Sequence, residues 1–279
     1  MNTTFGAGVK DLRRLLAPVP AGDGTGSEAF TLVFLHHAGG SAASFAPFAR
    51  WLPADWNLWS VDLPGRLMAA GERACRTSAE AAAYLVPELR ALLPGRYAVF
   101  GHSMGALVAF ETARELSAQG LTPQWVGLSG APAPGHRPDR AQRHLWPRDR
   151  LITFLRGLGG TPEQVFEMPD LLELMVEVLR RDLSIVDTYE VHAGPPLQAP
   201  LTVFTGGDDP VAGPRTAAPW GERTTARTTA RSWPGGHFYL FDHVEEVCAA
   251  VRDEIAAVSP EGARGSLSPS VGLPSLRST

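Results

Sequence analysis

The sequence predicts an α/β fold, with a doubly wound, mostly parallel sheet that carries helices on both faces. Two features of the chain predict it. Short apolar runs recur along the sequence, and segments with helical periodicity lie between them, which is the order expected of repeated strand–helix units. A third feature, a long stretch without a strand pattern at residues 137–193, predicts an inserted helical lid.

Six apolar runs are predicted to be strands. They lack the alternation of apolar and polar residues that marks a half-exposed strand, which is typical of parallel strands covered on both faces. The sixth run is the weakest of them. The predicted strands are Phe30–His37, Trp56–Gly65, Tyr97–Ser103, Trp125–Ala131, Leu201–Asp209 and Thr229–His237.

Helical patterns follow the second, third and sixth strands, and two more lie in the lid. The lid helices are predicted within residues 147–160 and 169–189, each with an apolar stripe. An enlarged structural crossover is the alternative interpretation of this region. The helical patterns outside the lid are Ala79–Leu93, Ala106–Gln119 and Val244–Ala257. The apolar stripe of the first lid helix is Leu151, Phe154, Leu155 and Leu158, and that of the second is Leu171, Leu174, Met175, Val178 and Leu179.

These patterns divide the chain into four parts. Residues 1–28 are predicted to be an arm with a Gly-rich linker, and residues 29–136 and 194–258 form the α/β core. Residues 137–193 form the lid. The tail, 259–279, is polar, aperiodic and rich in Pro, Gly and Ser, so we expect it to be disordered.

Composition excludes several classes of function. The chain of 279 residues has a net charge of -4, which does not favour nucleic acid as a partner. No apolar run reaches the length of a membrane span, and the N-terminus lacks the pattern of a signal peptide. The two cysteines, Cys75 and Cys248, suit reduced thiols. We therefore expect a cytoplasmic protein.

The stretch "YAVFGHSMGALVAF" carries the strongest signal for chemistry. It places Ser103 between Gly101 and Gly105, after an apolar strand and before a helix. In a sharp strand–turn–helix elbow, glycines at these two positions avoid collisions, and the serine hydroxyl lies at the helix N-terminus. Ser103 is therefore the predicted nucleophile.

A serine hydroxyl needs a base, and the base needs an acid that orients it. His237 follows the sixth predicted strand in a Gly-Gly-His loop, and it is preferred over His243, which lies near the start of the last helix. The acid is expected between serine and histidine in the chain. Asp209 is preferred there, with Asp208 as the alternative.

Two backbone N–H groups are expected to bind the oxyanion of the reaction. Met104 supplies one, because it follows the nucleophile, and Ala38 supplies the other from the loop after the first strand. His36 and His37 precede Ala38, but no third residue completes a metal-binding set with them. We expect these two histidines to line the loop, and we predict no metal site.

Together these segments resemble the α/β-hydrolase thioesterases, and most closely the stand-alone type II thioesterases of polyketide synthases and nonribosomal peptide synthetases. The resemblance covers about residues 30–258. It is carried by "LHHAGGSAASF", "WSVDLPGR", "FGHSMGALVAFE", "GGDDPV", "GGHFYL" and, in the lid, "LGGTPEQV" and "LRRDLSIVDTY". The lid segments are the specific part, since they are not general features of hydrolases.

The resemblance implies an α/β-hydrolase fold and a serine hydrolase that removes acyl groups from carrier domains. The usual role is to clear stalled or mis-primed acyl chains in antibiotic biosynthesis. Acyl and peptidyl carrier domains are the implied partners. No cofactor is implied, because the phosphopantetheine belongs to the substrate. A small-molecule carboxylesterase and a chain-releasing thioesterase are the alternatives.

Overall fold

The computed structural model describes residues 12–14, 30–66, 73–93, 95–136, 141–191 and 194–258. The predicted disordered tail and most of the predicted N-terminal arm lie outside these ranges.

Seven strands of the described chain form one sheet, in the order β1-β3-β2-β4-β5-β6-β7. All neighbouring strands are parallel except β1 and β3, which are antiparallel. Each of the six predicted runs contains a strand, so the predicted sheet is confirmed. The strands are β1 Leu12–Arg14, β2 Thr31–Leu35, β3 Asn57–Val61, β4 Tyr97–His102, β5 Trp125–Ser129, β6 Leu201–Gly206 and β7 Thr228–Trp233.

The helices lie where periodicity predicts them, with some shorter additions. A 310 helix, Ala42–Trp51, connects β2 to β3, and other short 310 turns occur in the loops. Within the described ranges, no helix is both long and apolar enough to cross a bilayer. The α-helices are α1 Ser78–Leu92, α2 Met104–Ala118, α3 Arg148–Leu158, α4 Glu163–Phe166, α5 Pro169–Asp187, α6 Tyr239–Asp242 and α7 Val244–Val258.

The sheet is covered on both faces, as strand β2 shows. Val33 and Leu35 belong to the apolar cluster that includes residues of α1 and α2. Leu32 and Phe34 belong to the opposite cluster, with residues of α7 and the 310 helix. Because successive side chains of a strand point to opposite faces, a strand covered on both faces has no exposed position, and most of its residues are apolar. This explains the continuous apolar runs.

The predicted insertion between β5 and β6 contains α3, α4 and α5, which share an apolar cluster of their own. On α5, however, the stripe that faces inward differs from the predicted one. Leu172 and Val176 are buried, whereas Leu171 and Leu174 are exposed. Helix α5 is apolar over more than one stripe, so periodicity alone could not identify its inner face.

Residues 12–14 of the predicted arm form strand β1 and pair with β3 at one edge of the sheet. A strand of three residues is too short to show a period in the sequence. The pairing supplies hydrogen-bond partners to a strand that would otherwise form this edge.

The sheet order reverses between β2 and β4, and ligands of such sheets bind beyond the carboxyl ends of the strands at that point. Leu35, the last residue of β2, lies opposite Gly101 of β4. The loop after β2 carries Ala38, and the turn after β4 carries Ser103. The topology thus brings two residues that are far apart in sequence to one place.

The turn after β4 is closed by contacts between main-chain atoms. A Cβ atom on Gly101 would lie 2.0 Å from the carbonyl oxygen of Gly105, and one on Gly105 would lie 2.1 Å from the carbonyl oxygen of Leu35. Neither oxygen can move aside as a flexible side chain could. The two glycines of the motif are therefore required by the approach of α2 to β2 and β4.

Replacing Gly105 by alanine is expected to lower the free energy of unfolding by more than about 4 kcal/mol, because backbone would have to move to accept the methyl group. Denaturation with urea measures the change. The matched control is Gly157→Ala in α3, where a Cβ would meet nothing within 4 Å, and where alanine should stabilise the helix by up to about 1 kcal/mol. Equal stability of the two variants would contradict this account of the elbow.

Candidate active site

Ser103 occupies the turn between β4 and α2 with a strained backbone. Its φ of 56° is the only positive value among the non-glycine residues of the described chain. Its N–H donates to the carbonyl oxygen of Ser129 on β5, at 2.7 Å, which helps to hold this conformation. Strain of this kind is stored at functional sites and is maintained by the surrounding structure.

His237 and Asp209 complete a chain of hydrogen bonds with Ser103. The Nε2 atom of His237 lies 2.9 Å from Ser103 Oγ, and its Nδ1 atom lies 2.8 Å from Asp209 Oδ2. A carboxylate only accepts, so Nδ1–H donates to Asp209 and Nε2 is left to accept from the serine hydroxyl. The structure brings together the three side chains that the sequence analysis singled out.

The loop after β6 decides between the two neighbouring carboxylates. Asp209 is buried, and its second oxygen, Oδ1, accepts from the N–H of Val211 at 2.8 Å. Asp208 is exposed, and its N–H donates to the carbonyl oxygen of Gly235. That bond joins the aspartate loop to the Gly-Gly-His loop, so Asp208 supports the site through its backbone while Asp209 faces the imidazole.

His243 ends α6, and its carbonyl oxygen accepts from the N–H of Val247 in α7. It is therefore part of a helix junction, as its position in the sequence indicates. His237 is the histidine that contacts the serine.

Three further histidines, His36, His37 and His102, lie around the candidate site. Burial lowers the pKa of His36 and His102 well below the ordinary value, and it lowers the pKa of His37 to about 4. The ring of His102 lies 5.0 Å from that of His237, between centroids. Because these neighbours are neutral near physiological pH, they place no cationic charge beside the imidazole of His237.

Both residues that carry the predicted oxyanion donors are neighbours of Ser103, Met104 in the chain and Ala38 across a shared cavity. Met104 begins α2, where backbone N–H groups have no partner within the helix. Ala38 lines a cavity together with Ser103 and His237. Among hydrogen bonds between described residues, none uses the N–H of Ala38. The two N–H groups are therefore available to an oxygen atom bound at Ser103.

His36 and His37 do not face each other as metal ligands. The Nδ1 atom of His36 lies 2.8 Å from the carbonyl oxygen of His37, and the Nδ1 atom of His37 lies 3.0 Å from that of Ala38. Both rings hydrogen-bond the backbone of the loop. Within the described ranges, no group of three or more His, Cys, Asp or Glu side chains is arranged to hold a metal ion.

Two cavities, of about 60 and 50 Å³, adjoin Ser103. Helices α3 and α5 wall the second one with Phe154, Leu155, Leu179 and Leu183. A groove of about 320 Å³ shares Leu155, Leu179 and Ala38 with this cavity. A further groove of about 560 Å³ shares Gly39, Gly40, Ser41 and Met175 with the first groove. These adjoining pockets form a series between lid and core, from the exposed groove to the cavity at Ser103, and we refer to this series as the route.

The structure also shows a site residue that sequence reasoning missed. Arg143 lines both cavities at Ser103. Its guanidinium lies 3.3 Å from Asp187 and over the ring of Phe154 at 5.4 Å. The 310 turn that carries Arg143 spans three residues, which is too few to show periodicity. No signal in the sequence therefore indicates that Arg143 lies beside Ser103.

The thioesterase domain family matches residues 30–255, from the start of the core to the last helix. The chain belongs to this thioesterase domain family. The match includes the lid as well as the segments that carry Ser103, Asp209 and His237.

Relatives of this thioesterase-domain protein are similar over most of its length. Thioesterase PikA5 of Streptomyces venezuelae is 36% identical over 231 residues, which is 82% of each chain. The type II thioesterase BorB from the borrelidin biosynthetic cluster is 33% identical, with a TM-score of 0.80 over 90% of this chain and 100% of its own. YbtT, a type II thioesterase from the yersiniabactin pathway, is 28% identical, with a TM-score of 0.77 over 88% and 98%. The predicted α/β-hydrolase fold and the resemblance to type II thioesterases are confirmed.

Proposed function

We propose that this protein is a stand-alone type II thioesterase, which hydrolyses acyl thioesters on the phosphopantetheine arm of carrier domains. The observation that carries the proposal is the Ser103–His237–Asp209 chain, with hydrogen bonds of 2.9 and 2.8 Å, at the inner end of a route walled by the lid. The arrangement has every role that acyl transfer requires: nucleophile, base, orienting acid and oxyanion donors.

The first half of the reaction forms an acyl-enzyme. His237 Nε2 takes the proton of Ser103 while Oγ attacks the thioester carbonyl carbon. The carbonyl oxygen becomes an oxyanion that accepts from the Ala38 and Met104 N–H groups. The C–S bond then breaks, and the pantetheine leaves as a thiolate that takes the proton from His237. A thiol of pKa near 8.5 needs little acid assistance to leave.

The second half uses water. His237, again neutral, takes a proton from water, and the resulting hydroxide attacks the acyl carbon on Ser103. The tetrahedral intermediate collapses, Ser103 Oγ leaves and regains a proton from His237, and the free carboxylic acid departs. Asp209 stays ionised throughout, since its part is to hold the imidazole in the Nδ1–H tautomer and stabilise its charged form.

The route between lid and core suits a long, flexible substrate arm. An arm that enters the larger groove passes the backbone of residues 39–41 and Met175, then Leu179 and Ala38, before it reaches Ser103. The walls near Ser103 are mainly apolar and suit an acyl group. Two similar proteins of known structure, ClbQ and YbtT, come from mixed nonribosomal peptide and polyketide pathways. Removal of stalled or mis-primed acyl chains in such a pathway is the role we propose here.

The proposed site of action is the cytoplasm. Cys75 and Cys248 are both buried and free, which suits a compartment that keeps thiols reduced.

We further propose that the carrier docks on the outer face of α5, at the mouth of this route. Met168, Leu171 and Leu174 are 52%, 37% and 53% exposed. Leu171 and Leu174 line the larger groove, and so do the half-exposed Arg181 and its ion-pair partner Glu177, 3.3 Å away. Exposed apolar groups at the mouth of the groove suit a carrier domain, which must bring its arm to this place. Carrier domains are generally acidic, so an acidic group of the carrier would compete with Glu177 for Arg181.

Leu174→Glu is expected to raise KM for an acylated carrier by about 10-fold or more, since it puts a charge into an apolar contact and repels acidic groups. KM for the same acyl group on a small thiol should stay unchanged. Leu145→Glu is the matched control, because Leu145 is 65% exposed and does not line the groove. Equal effects of the two variants on KM for the carrier would refute docking at α5.

A panel of acylated carrier domains tests the function itself. The release of free acid is measured by mass spectrometry for short acyl units and for a full-length chain, and for oxygen esters of the same acids, with Ser103→Ala as the blank. We expect carrier thioesters to be cleaved faster than oxygen esters. Faster ester cleavage would identify a carboxylesterase, and selective release of the full-length chain would identify a chain-releasing enzyme.

A further inference from the structure

Hydrogen bonds hold the backbone of the loop that carries Ala38 at several of its polar groups. The Gly40 N–H donates to the carbonyl oxygen of His37 at 3.0 Å, and the Gly39 N–H donates to Asp182 Oδ2 at 2.7 Å. The carbonyl oxygen of Gly40 accepts from Arg66 Nε at 3.0 Å. Of the N–H groups of residues 38–40, that of Ala38 has no partner among the described residues.

Two of these bonds define the direction of the Ala38 N–H. It belongs to the planar peptide whose carbonyl is that of His37, and in a trans peptide the N–H and C=O point in opposite directions. That carbonyl accepts from Gly40 N–H and from His36 Nδ1–H. The next peptide is held through Gly39 N–H by Asp182. The Ala38 N–H therefore cannot change direction unless one of the hydrogen bonds that hold these two peptides breaks.

Asp182 and Arg66 tie this loop to the lid. Asp182 lies in α5, and its Oδ2 accepts both from Gly39 N–H and from Arg66 Nη2, the latter at 2.5 Å. Arg66 also donates to the carbonyl oxygen of Leu63, in the segment after β3. The side chains of Arg66 and Asp182 are buried, with 7% and 5% of their surface exposed, respectively. Leu179, one turn before Asp182, packs 3.6 Å from the position of a Cβ on Gly39.

Stability alone is a weak reason for such a pair. Removing two charges from water is unfavourable, and their attraction offsets that cost only in part unless further hydrogen bonds are made. Here the further bonds go to the N–H of Gly39 and to the carbonyl oxygen of Gly40. They flank the peptide that joins these two glycines, directly after Ala38. The Arg66–Asp182 pair thus holds the backbone of residues 39 and 40 in place.

We propose that Asp182 and Arg66 are positioning residues for the Ala38 oxyanion donor, so that lid helix α5 takes part in forming the catalytic site. The inference rests on the proposed function, because it assigns Ala38 N–H to the oxyanion. Neither residue touches the substrate. They act through the loop, and they make the oxyanion site depend on where α5 lies.

Asp182→Asn tests the proposal, since it removes the charge and keeps the shape. The affinities of the wild type and the variant for two ligands are measured, together with kcat/KM for hydrolysis of a small thioester. A trifluoromethyl ketone analogue of the acyl-pantetheine forms a tetrahedral adduct with Ser103 and needs the oxyanion donors. A thioether analogue without a carbonyl binds the same route and does not need them. We expect kcat/KM and the affinity for the ketone to fall together, by about 100-fold, while the Kd of the thioether is unchanged.

Glu254→Gln is the matched control. Glu254 is another buried carboxylate with two arginine partners, Arg227 and Arg231, and its loss should leave both affinities as in the wild type. If Asp182→Asn does not unfold cooperatively, Arg66→Lys carries the same comparison, because it keeps the cation beside Asp182 and loses the bonds to Gly40 and Leu63. An affinity for the ketone that falls no more than that for the thioether would overturn the proposal.

This comparison and the panel of acylated carriers together separate the inference from the proposed function. A wild-type protein that cleaves a small ester but no acylated carrier would refute the carrier thioesterase. The comparison of ketone and thioether in Asp182→Asn would then still decide whether the lid carboxylate positions the oxyanion donor.

Discussion

Ser103→Ala is expected to lower kcat for acyl-carrier hydrolysis by about five to six orders of magnitude, because the loss of a nucleophile removes the acyl-enzyme route altogether. The residual rate would reflect the oxyanion donors and binding alone. Binding itself should survive. The side chain lines the cavity rather than filling it, so the Kd for an acylated carrier should match that of the wild type.

The measurement combines single-turnover release of acid with binding by titration. Ser117→Ala is the control, since the hydroxyl of Ser117 only bonds the carbonyl oxygen of Ala113 within α2. A fluorophosphonate should label the wild type at Ser103 and leave Ser103→Ala unlabelled. Retained turnover in Ser103→Ala would show that another group is the nucleophile and would end the mechanism proposed here.

Asp209→Asn is expected to lower kcat by about 10,000-fold. An asparagine that turns its NH₂ group to His237 Nδ1 favours the tautomer in which Nε2 carries the hydrogen, and that tautomer cannot accept the proton of Ser103. Asparagine has nearly the size of aspartate, so the fold should persist. The loss should appear in kcat, with little change in KM for the substrate.

The neighbouring carboxylate offers a close control. Asp208 is exposed and contributes a backbone N–H to Gly235, so Asp208→Asn should leave kcat near that of the wild type. Steady-state kinetics on one acylated carrier compares the two variants. Similar losses in both would mean that the charge of the loop, and not the bond to His237, supports the reaction.

The sequence predicted the centre of the sheet well because strands β2, β4, β5 and β6 are buried on both faces. Every position of runs such as Thr31–Leu35 and Tyr97–His102 is buried, and such runs in alternation with helices allow few other folds. The elbow was equally visible, since glycines at positions 101 and 105 are required by main-chain contacts. Ser103, Asp209 and His237 could be singled out because each lies at the end of an apolar run that predicts a strand.

The remainder depends on contacts between distant segments, which no local pattern contains. The partnership of Arg66 with Asp182 joins residues 116 positions apart. The inward face of α5 was misjudged because the helix has apolar residues on two sides, and only packing against α3 shows which side is buried. Strand β1 was missed because three residues show no period.

The backbone-to-backbone packing of the elbow has a consequence for divergence within the family. The place of the serine is determined by how closely β2, β4 and α2 approach at two glycines, and few neighbouring side chains take part. Core residues elsewhere can then exchange, with gains and losses in stability, while the reactive hydroxyl keeps its position. Relatives that share only about a third of their residues with this chain can in this way retain nearly the same architecture.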